Sequence, residues 1–475
     1  MNTLEAKSEF AIHLSLDLLD LLDLLEVLES LEAAFLQNFQ NFQNFQFIIK
    51  KNYALNMIGL IDCNNFYVSC ERVFNPRLEG RRVAVLTNND GCVVSRSPEF
   101  KKLNIPVGTP YFKIKDLEKP LDLVFISSNY ELYADMSSRV MSVLRQFTPH
   151  IEQYSIDEAF VHFNLPESHD YESLAIELRE RVRQWTGIPT GIGFASTRTL
   201  AKLGSEIAKK RTNTGVFVMP KHAEDILQET PVGDIWGVGP RVEKRLMALG
   251  IRTARQLAEA DLPWLQKKFS VCLVRTALEL NGQKATAAED FGHPLKTATC
   301  SRMFGVPIVD FEELRQSVAE YAETAAEKMR ESGRQAVGAS VFFLYYPEYY
   351  PVALPEGGAE TNVMFGHPTN NTAEIFAAIA PHLPKIFQNG RRYKKSGIIF
   401  FGLEKGTLTQ PELFPAPART PISDHVVETL DTINRQFGRD TVHCLASGLS
   451  RPWTMRREKL SSRYTTDWDG LPLAK

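Results

Sequence analysis

Ile151-Glu-Gln-Tyr-Ser-Ile-Asp-Glu-Ala-Phe160 is the stretch on which the reading of this chain turns. Two adjacent acids, Asp157 and Glu158, sit in an apolar, strand-like run that continues through Val161 and Phe163. Acids are depleted in strands and costly to bury unless they are paired or hold a cation. The doublet therefore points to a divalent-metal site. Ile58-Gly-Leu-Ile-Asp62 is a second buried-type strand, and it too ends in an acid. Three carboxylates brought together would supply the oxygen ligands hard cations prefer, an apparatus for stabilising charge on a phosphoryl group. Neighbours in a straight strand face opposite ways. Asp157 and Glu158 converge only if the chain bends there or Glu158 curls back, and the residues leave both routes open.

With 475 residues, the chain can hold three or four domains with sizeable cores. Its 44% apolar and 23% charged composition is ordinary for a soluble protein. At a net charge of −3, any nucleic-acid face must come from local clusters of cations. Six cysteines (Cys63, Cys70, Cys92, Cys272, Cys300 and Cys444) are scattered without a C-x-x-C pair. Reduced thiols in the cytoplasm are expected, not a zinc site or a disulfide framework. The apolar runs are too short to cross a bilayer, so no membrane partner is expected. Residues 1–56 differ from the rest: acids recur at every third position from Asp17 to Glu32, and Gln-Asn-Phe repeats follow up to Phe47. A period of three gives no clean helical stripe. The expectation is a low-complexity leader, disordered or non-native, ahead of a start at Met57.

Behind Asp62 come Phe66 and Tyr67, at the start of a helix whose free N–H groups suit a triphosphate. The two aromatics can lie under a sugar or pack in a core. The Asp62 strand, the Phe66-Tyr67 pair and Ser155-Ile-Asp-Glu-Ala159 together resemble the palm of a Y-family translesion DNA polymerase. Asn88-Asn-Asp-Gly-Cys92 and the segment from Ser127 to Met136 resemble its UmuC type, the catalytic subunit of polymerase V. The resemblance covers Met57 to Lys475. It implies an α+β multidomain right hand: a ferredoxin-like palm (57–80 and 127–226), small fingers (81–126), a helical thumb with a helix-hairpin-helix (227–290) and an αβ little finger (297–405). A linker (406–422) and a UmuC-type C-terminal extension (423–475) follow.

By that resemblance Asp62, Asp157 and Glu158 are the catalytic, metal-binding acids for two Mg²⁺ ions. Tyr67 is the steric gate against a ribose 2′-hydroxyl. Phe66, Ser95, Lys101 and Lys209 complete the nucleotide site. Many relatives carry Tyr and Arg where Pro98 and Lys101 stand, and a lysine lacks arginine's bidentate fork. Glu131 and Asp135 read as solvated helix charges without chemistry.

Trp236-Gly237-Val238-Gly239-Pro240-Arg241 reads as a hairpin whose glycines let backbone N–H groups approach a phosphate, with Arg241 beside them. Arg391, Arg392, Lys394 and Lys395 flank Tyr393 and are expected on DNA phosphates. Gln410, Leu413 and Phe414 resemble the short peptide by which bacterial polymerases dock on the sliding clamp. The C-terminal cations, Arg451 to Arg463, suggest contacts with a UmuD′ dimer or a RecA-type filament.

The expectation is a template-directed enzyme that uses primer-template DNA and dNTPs, bypasses damaged bases by two-metal nucleotidyl transfer, and serves the SOS response. A catalytically weak DNA- and clamp-binding scaffold is the alternative, against which the intact acids speak. A nucleotide cyclase shares the core and acids but lacks the hairpin, little finger and clamp peptide.

Overall fold

A computed structural model describes residues 57–166, 168–285, 296–347, 356–406, 424–438 and 440–467. The leader and the clamp-like peptide Gln410–Phe414 lie outside them. In chain order the strands are β1 (Met57–Cys63), β2 (Arg82–Leu86), β3 (Val93–Arg96), β4 (Leu123–Ser127), β5 (Ile151–Gln153), β6 (Glu158–Phe163), β7 (Thr190–Ala195), β8 (Val216–Val218), β9 (Ala298–Ile308), β10 (Arg334–Tyr345), β11 (Gly357–Thr369) and β12 (Tyr393–Lys405). The longer helices are α1 (Phe66–Phe74), α2 (Tyr130–Leu144), α3 (Tyr171–Thr186), α4 (Arg198–Arg211), α5 (Pro240–Ala248), α6 (Val271–Leu280), α7 (Phe311–Glu331), α8 (Thr372–Ile379) and α9 (Asp424–Phe437).

Contacts divide the described residues into two units. One takes those up to Asp62, Val143–Arg181 and those of Thr190–Thr286; the other takes Cys63–Ser142, Val182–Pro189 and those from Ala287 onward.

The first unit is built on a five-stranded sheet, ordered β5-β6-β1-β7-β8. The expected single strand from Ile151 to Phe163 is instead a hairpin. β5 and β6 pair antiparallel, Gln153 opposite Ala159, and Tyr154–Asp157 form the turn. β1 is buried on both faces from Ile58 to Cys63, which its near-continuous apolar run allows. At Gly59 a Cβ would meet Phe194 and Val161, so only glycine lets β1 lie flat against them. α4 packs on β7 with its N-terminus capped by Thr197, whose hydroxyl accepts from the Leu200 N–H. Three cations, Lys209, Lys210 and Arg211, close its last turn, where the helix dipole favours them. Ile58, Leu60 and Phe160 of the sheet share one core with Leu246, Leu257, Leu265 and Leu273 from the helices that follow. This continuity holds the hairpin at Gly237, which needs its φ of 89°, against the five-stranded sheet.

The second unit carries two sheets. The smaller has the order β3-β2-β4, with β2 antiparallel to β3 and parallel to β4. Its core is Ala84, Leu86, Val93, Phe100, Leu123 and Phe125. The larger, β11-β10-β12-β9, is antiparallel throughout, its elements running β-α-β-β-α-β along the chain. α7 lies on it, started by an Asp310 carboxylate that accepts from the Glu313 N–H. Trp453, far along the C-terminal extension, is buried in this same core against Phe304 and Tyr321. The extension then passes Glu131. That residue was expected to be a solvated charge; it is paired with Arg457 at 3.2 Å because the extension returns along α2. Asp135 pairs with Arg139 one helical turn on.

Candidate active site

β1 and β6 run antiparallel with Asp62 directly opposite Glu158. This register brings two of the three expected acids together on neighbouring strands. Asp62 is only 6% exposed. Burial pushes its carboxyl up to about 6, Lys209 opposes that rise, and Glu158 adds to it.

Two lysines answer the pair. Lys209 Nζ lies 2.5 Å from Asp62 Oδ2 and 3.2 Å from Glu206 Oε1. Burial works against the ammonium, but these carboxylates outweigh it and hold the Lys209 pKa above the usual lysine value. Lys202 donates to Glu158 Oε1 and lies 3.9 Å from Asp62 Oδ2. Lys202 was missed by reading the sequence. A signal was present: Lys202 and Lys209 stand seven residues apart on a helix, hence on one face, with Glu206 between them.

Asp157 occupies the turn. Its carboxylate accepts from the Ser155 hydroxyl, and its own N–H donates to Ser155 Oγ at 3.1 Å. The chain bends, and this bend carries Asp157 off the strand face while Glu158 begins β6. The turn is held from the side by Tyr154, which meets Trp236 edge-on at 5.3 Å and accepts from its indole N–H. Arg198 forms a bidentate pair with Glu152 of β5, tying the start of α4 to the hairpin.

Among the described residues no three His, Cys, Asp or Glu side chains gather as a complete metal-ligand set. The donor chemistry at Asp62 and Glu158 nevertheless suits a hard divalent cation. Both donors are carboxylate oxygens, one deeply buried, and both already face positive charge.

The other nucleotide-site candidates lie in the second unit. Phe66 is buried at 3% exposure and packs tilted against Tyr67. Tyr67 is half-buried and stacks on Tyr133, ring centroids 4.4 Å apart. Ser95 is on β3 opposite Val85, and Lys101 is exposed at the end of the short helix Pro98–Lys101.

Gly239 caps α5 and Arg241 is exposed in its first turn. The cations around Tyr393 have partners within the chain. Arg391 and Arg392 lie over Tyr345 and Tyr346, Lys394 pairs with Glu356, and Lys395 lies over Phe342. No helix among the described residues is long and apolar enough to cross a membrane.

Comparison with known proteins agrees with this architecture. The impB/mucB/samB family model matches residues 61–206, its C-terminal domain 296–413, and the family's HHH motif 220–251. A domain of unknown function, DUF4113, matches residues 424–474. The chain is 39% identical to Protein SamB of Salmonella typhimurium over 88% of this chain and 100% of that protein. It is 40% identical to Protein UmuC of Salmonella typhimurium strain LT2 over 87% of this chain and 99% of that protein. A solved Y-family DNA polymerase chimera, Dbh-Dpo4(243-245)-Dbh, shares the fold at a TM-score of 0.55, with 20% identity over 73% of this chain and 99% of that one. The chain therefore belongs to the impB/mucB/samB family, the UmuC type of Y-family DNA polymerase.

Proposed function

We propose that this polymerase copies template DNA past damaged bases by two-Mg²⁺ nucleotidyl transfer and acts in the SOS response. The observation that carries the reading is the register pairing of Asp62 with Glu158 beneath Lys202 and Lys209. A buried acid pair facing two cations is a costly arrangement that structure alone does not require.

Asp62, Asp157 and Glu158 would hold the metal ions. Bound there, divalent cations supply charge stabilisation to the attacking and leaving oxygens of an in-line phosphoryl transfer. The chain's own residues do the rest. Lys209 and Lys202 face Asp62 and Glu158 in a buried setting and would offer positive charge to a triphosphate. Ser95 and Lys101 would add contacts to that triphosphate, Phe66 would lie near its sugar, and Tyr67 would exclude a 2′-hydroxyl. Gly237, Gly239 and Arg241 would grip backbone phosphates without reading sequence, as would Arg391, Arg392, Lys394 and Lys395. The last four would exchange their contacts within the chain for DNA.

The domain limits given above, the clamp peptide Gln410, Leu413 and Phe414, and a UmuD′ dimer or RecA-type filament as partners belong to the same proposal. It is tested by single-nucleotide extension of primers on undamaged and abasic templates. Extension on both supports it. DNA binding without extension on either, with candidate partners added, identifies the scaffold instead.

A further inference from the structure

The C-terminal extension beyond Trp453 follows a path fixed by its own backbone. The Gly305 N–H donates to Trp453 O at 3.0 Å. Asn89 Oδ1 accepts from the Arg456 N–H at 2.9 Å, and Asp90 Oδ2 accepts from the Glu458 N–H at 3.0 Å. Ser127 and Lys459 exchange two bonds: the Ser127 N–H to Lys459 O and the Lys459 N–H to Ser127 Oγ. Tyr464 stacks on Phe74 at 4.9 Å. Contacts to backbone atoms fix position along the tail, as ion pairs between flexible side chains do not.

The deepest contact on this path is Ser461. Its hydroxyl accepts from Asn129 Nδ2 at 2.9 Å and donates to Glu71 Oε1 at 3.0 Å. The same Glu71 oxygen accepts from the Tyr133 hydroxyl at 2.7 Å. Glu71 and Tyr133 are 1% and 0% exposed, so the chain itself supplies these donors. Tyr133 in turn is the platform under Tyr67: the rings are 12° from parallel, and Tyr130 stands edge-on beside both. A ring anchored through its hydroxyl cannot slide beneath its neighbour. Removing the Ser461 hydroxyl would leave a buried carboxyl short of a donor and loosen that anchor.

We infer that the extension is a specificity element of the polymerase: Ser461, acting through Glu71 and Tyr133, holds the Tyr67 ring where it excludes a ribonucleotide. The inference rests on the reading of Tyr67 as the sugar-discriminating ring. Ser461, Glu71 and Tyr133 are positioning residues, and DUF4113 gains a role within the chain that carries it.

The test is single-nucleotide incorporation of dNTP and rNTP by the full chain and its variants, with thermal unfolding followed alongside. Tyr67→Ala should collapse sugar discrimination. Ser461→Ala should lower it by about three- to tenfold, the worth of one hydrogen bond, through a gain in ribonucleotide kcat/KM while dNTP incorporation holds within about twofold. Ser461→Thr, which keeps the hydroxyl, should restore it. The double variant Ser461→Ala/Tyr67→Ala should behave as Tyr67→Ala alone. If Ser461→Ala does not fold, Tyr133→Phe replaces it and should give the same fall. Wild-type discrimination in Ser461→Ala or Tyr133→Phe, or additive effects in the double variant, overturns the inference and leaves the gate reading standing. Unchanged discrimination in Tyr67→Ala removes the gate reading and the inference with it.

Discussion

Lys209 Nζ lies 2.5 Å from Asp62 Oδ2, and the contact joins the last turn of one helix to the end of the central strand. It is the main force opposing the burial that pushes the Asp62 carboxyl up to about 6. Lys209→Met should therefore lower single-turnover primer extension by roughly 10- to 100-fold, the scale for losing one charged group near developing charge. Lys209→Arg keeps the charge and should retain more activity than Lys209→Met. Equal rates for wild type and Lys209→Met would separate this lysine from the chemistry.

Glu71 makes stability depend on pH. Burial pushes its carboxyl from 4.5 up to about 7, although Tyr133 and Ser461 donate to it, and Tyr464 also feels its charge. The folded-state pKa lies above the unfolded one, so folding favours the protonated acid. This contribution is fully present below pH 4.5 and is lost as pH rises through about 7. Between pH 5 and pH 8, Glu71→Gln should gain about 2–3 kcal/mol relative to wild type in urea unfolding. Parallel pH profiles for the two proteins would contradict the assignment.

Gly193 faces the α4 backbone so closely that a Cβ would lie against Ser205 N and Ala201 O. Backbone cannot swing aside as a flexible side chain can. Gly193→Ala should cost roughly 3 kcal/mol or more, at the upper end of overpacking, and be read as a large fall in melting temperature. Gly366→Ala, where nothing lies within 4 Å of the added carbon, is the control and should unfold as wild type does.

Arg330 forms a bidentate pair with Asp431, and both side chains are nearly buried. Breaking it leaves a charge without its partner. Arg330→Ala should cost about 3–5 kcal/mol and free α9 from α7 before the four-stranded sheet melts. Hydrogen exchange resolves this as early loss of protection over 424–437.

Patterns confined to neighbouring residues were legible in the sequence. Apolar runs over Val337–Phe343 and Ser396–Phe401 mark β10 and β12, and the helical period of Phe311–Arg330 marks α7. The acids declared themselves because Asp157-Glu158 is chemically out of place in an apolar run. The Tyr154–Asp157 bend was only one of two open routes, because Ser155 and Asp157 favour a turn while the apolar residues around them favour a strand. Lys202 stayed hidden, since a lysine on a helix is ordinary until its neighbour across the sheet is known. Ser461 was out of reach for a stronger reason: its partner Glu71 is 390 residues away, and nothing in either local pattern refers to the other. The cations at Arg457 and Lys459 were read as surface for partners, yet Glu131 and Glu118 hold them within the chain.

The acids remain the centre of the account, and Asp157 tests it most directly because its side chain touches Ser155 at an outlying turn and not the buried core. Single-turnover extension by Asp157→Ala should fall by at least about a thousandfold, as expected when a metal ligand is lost at a phosphoryl-transfer site, while primer-template affinity stays within a few fold of wild type. Extension at the wild-type rate by a folded, DNA-bound Asp157→Ala protein would contradict it.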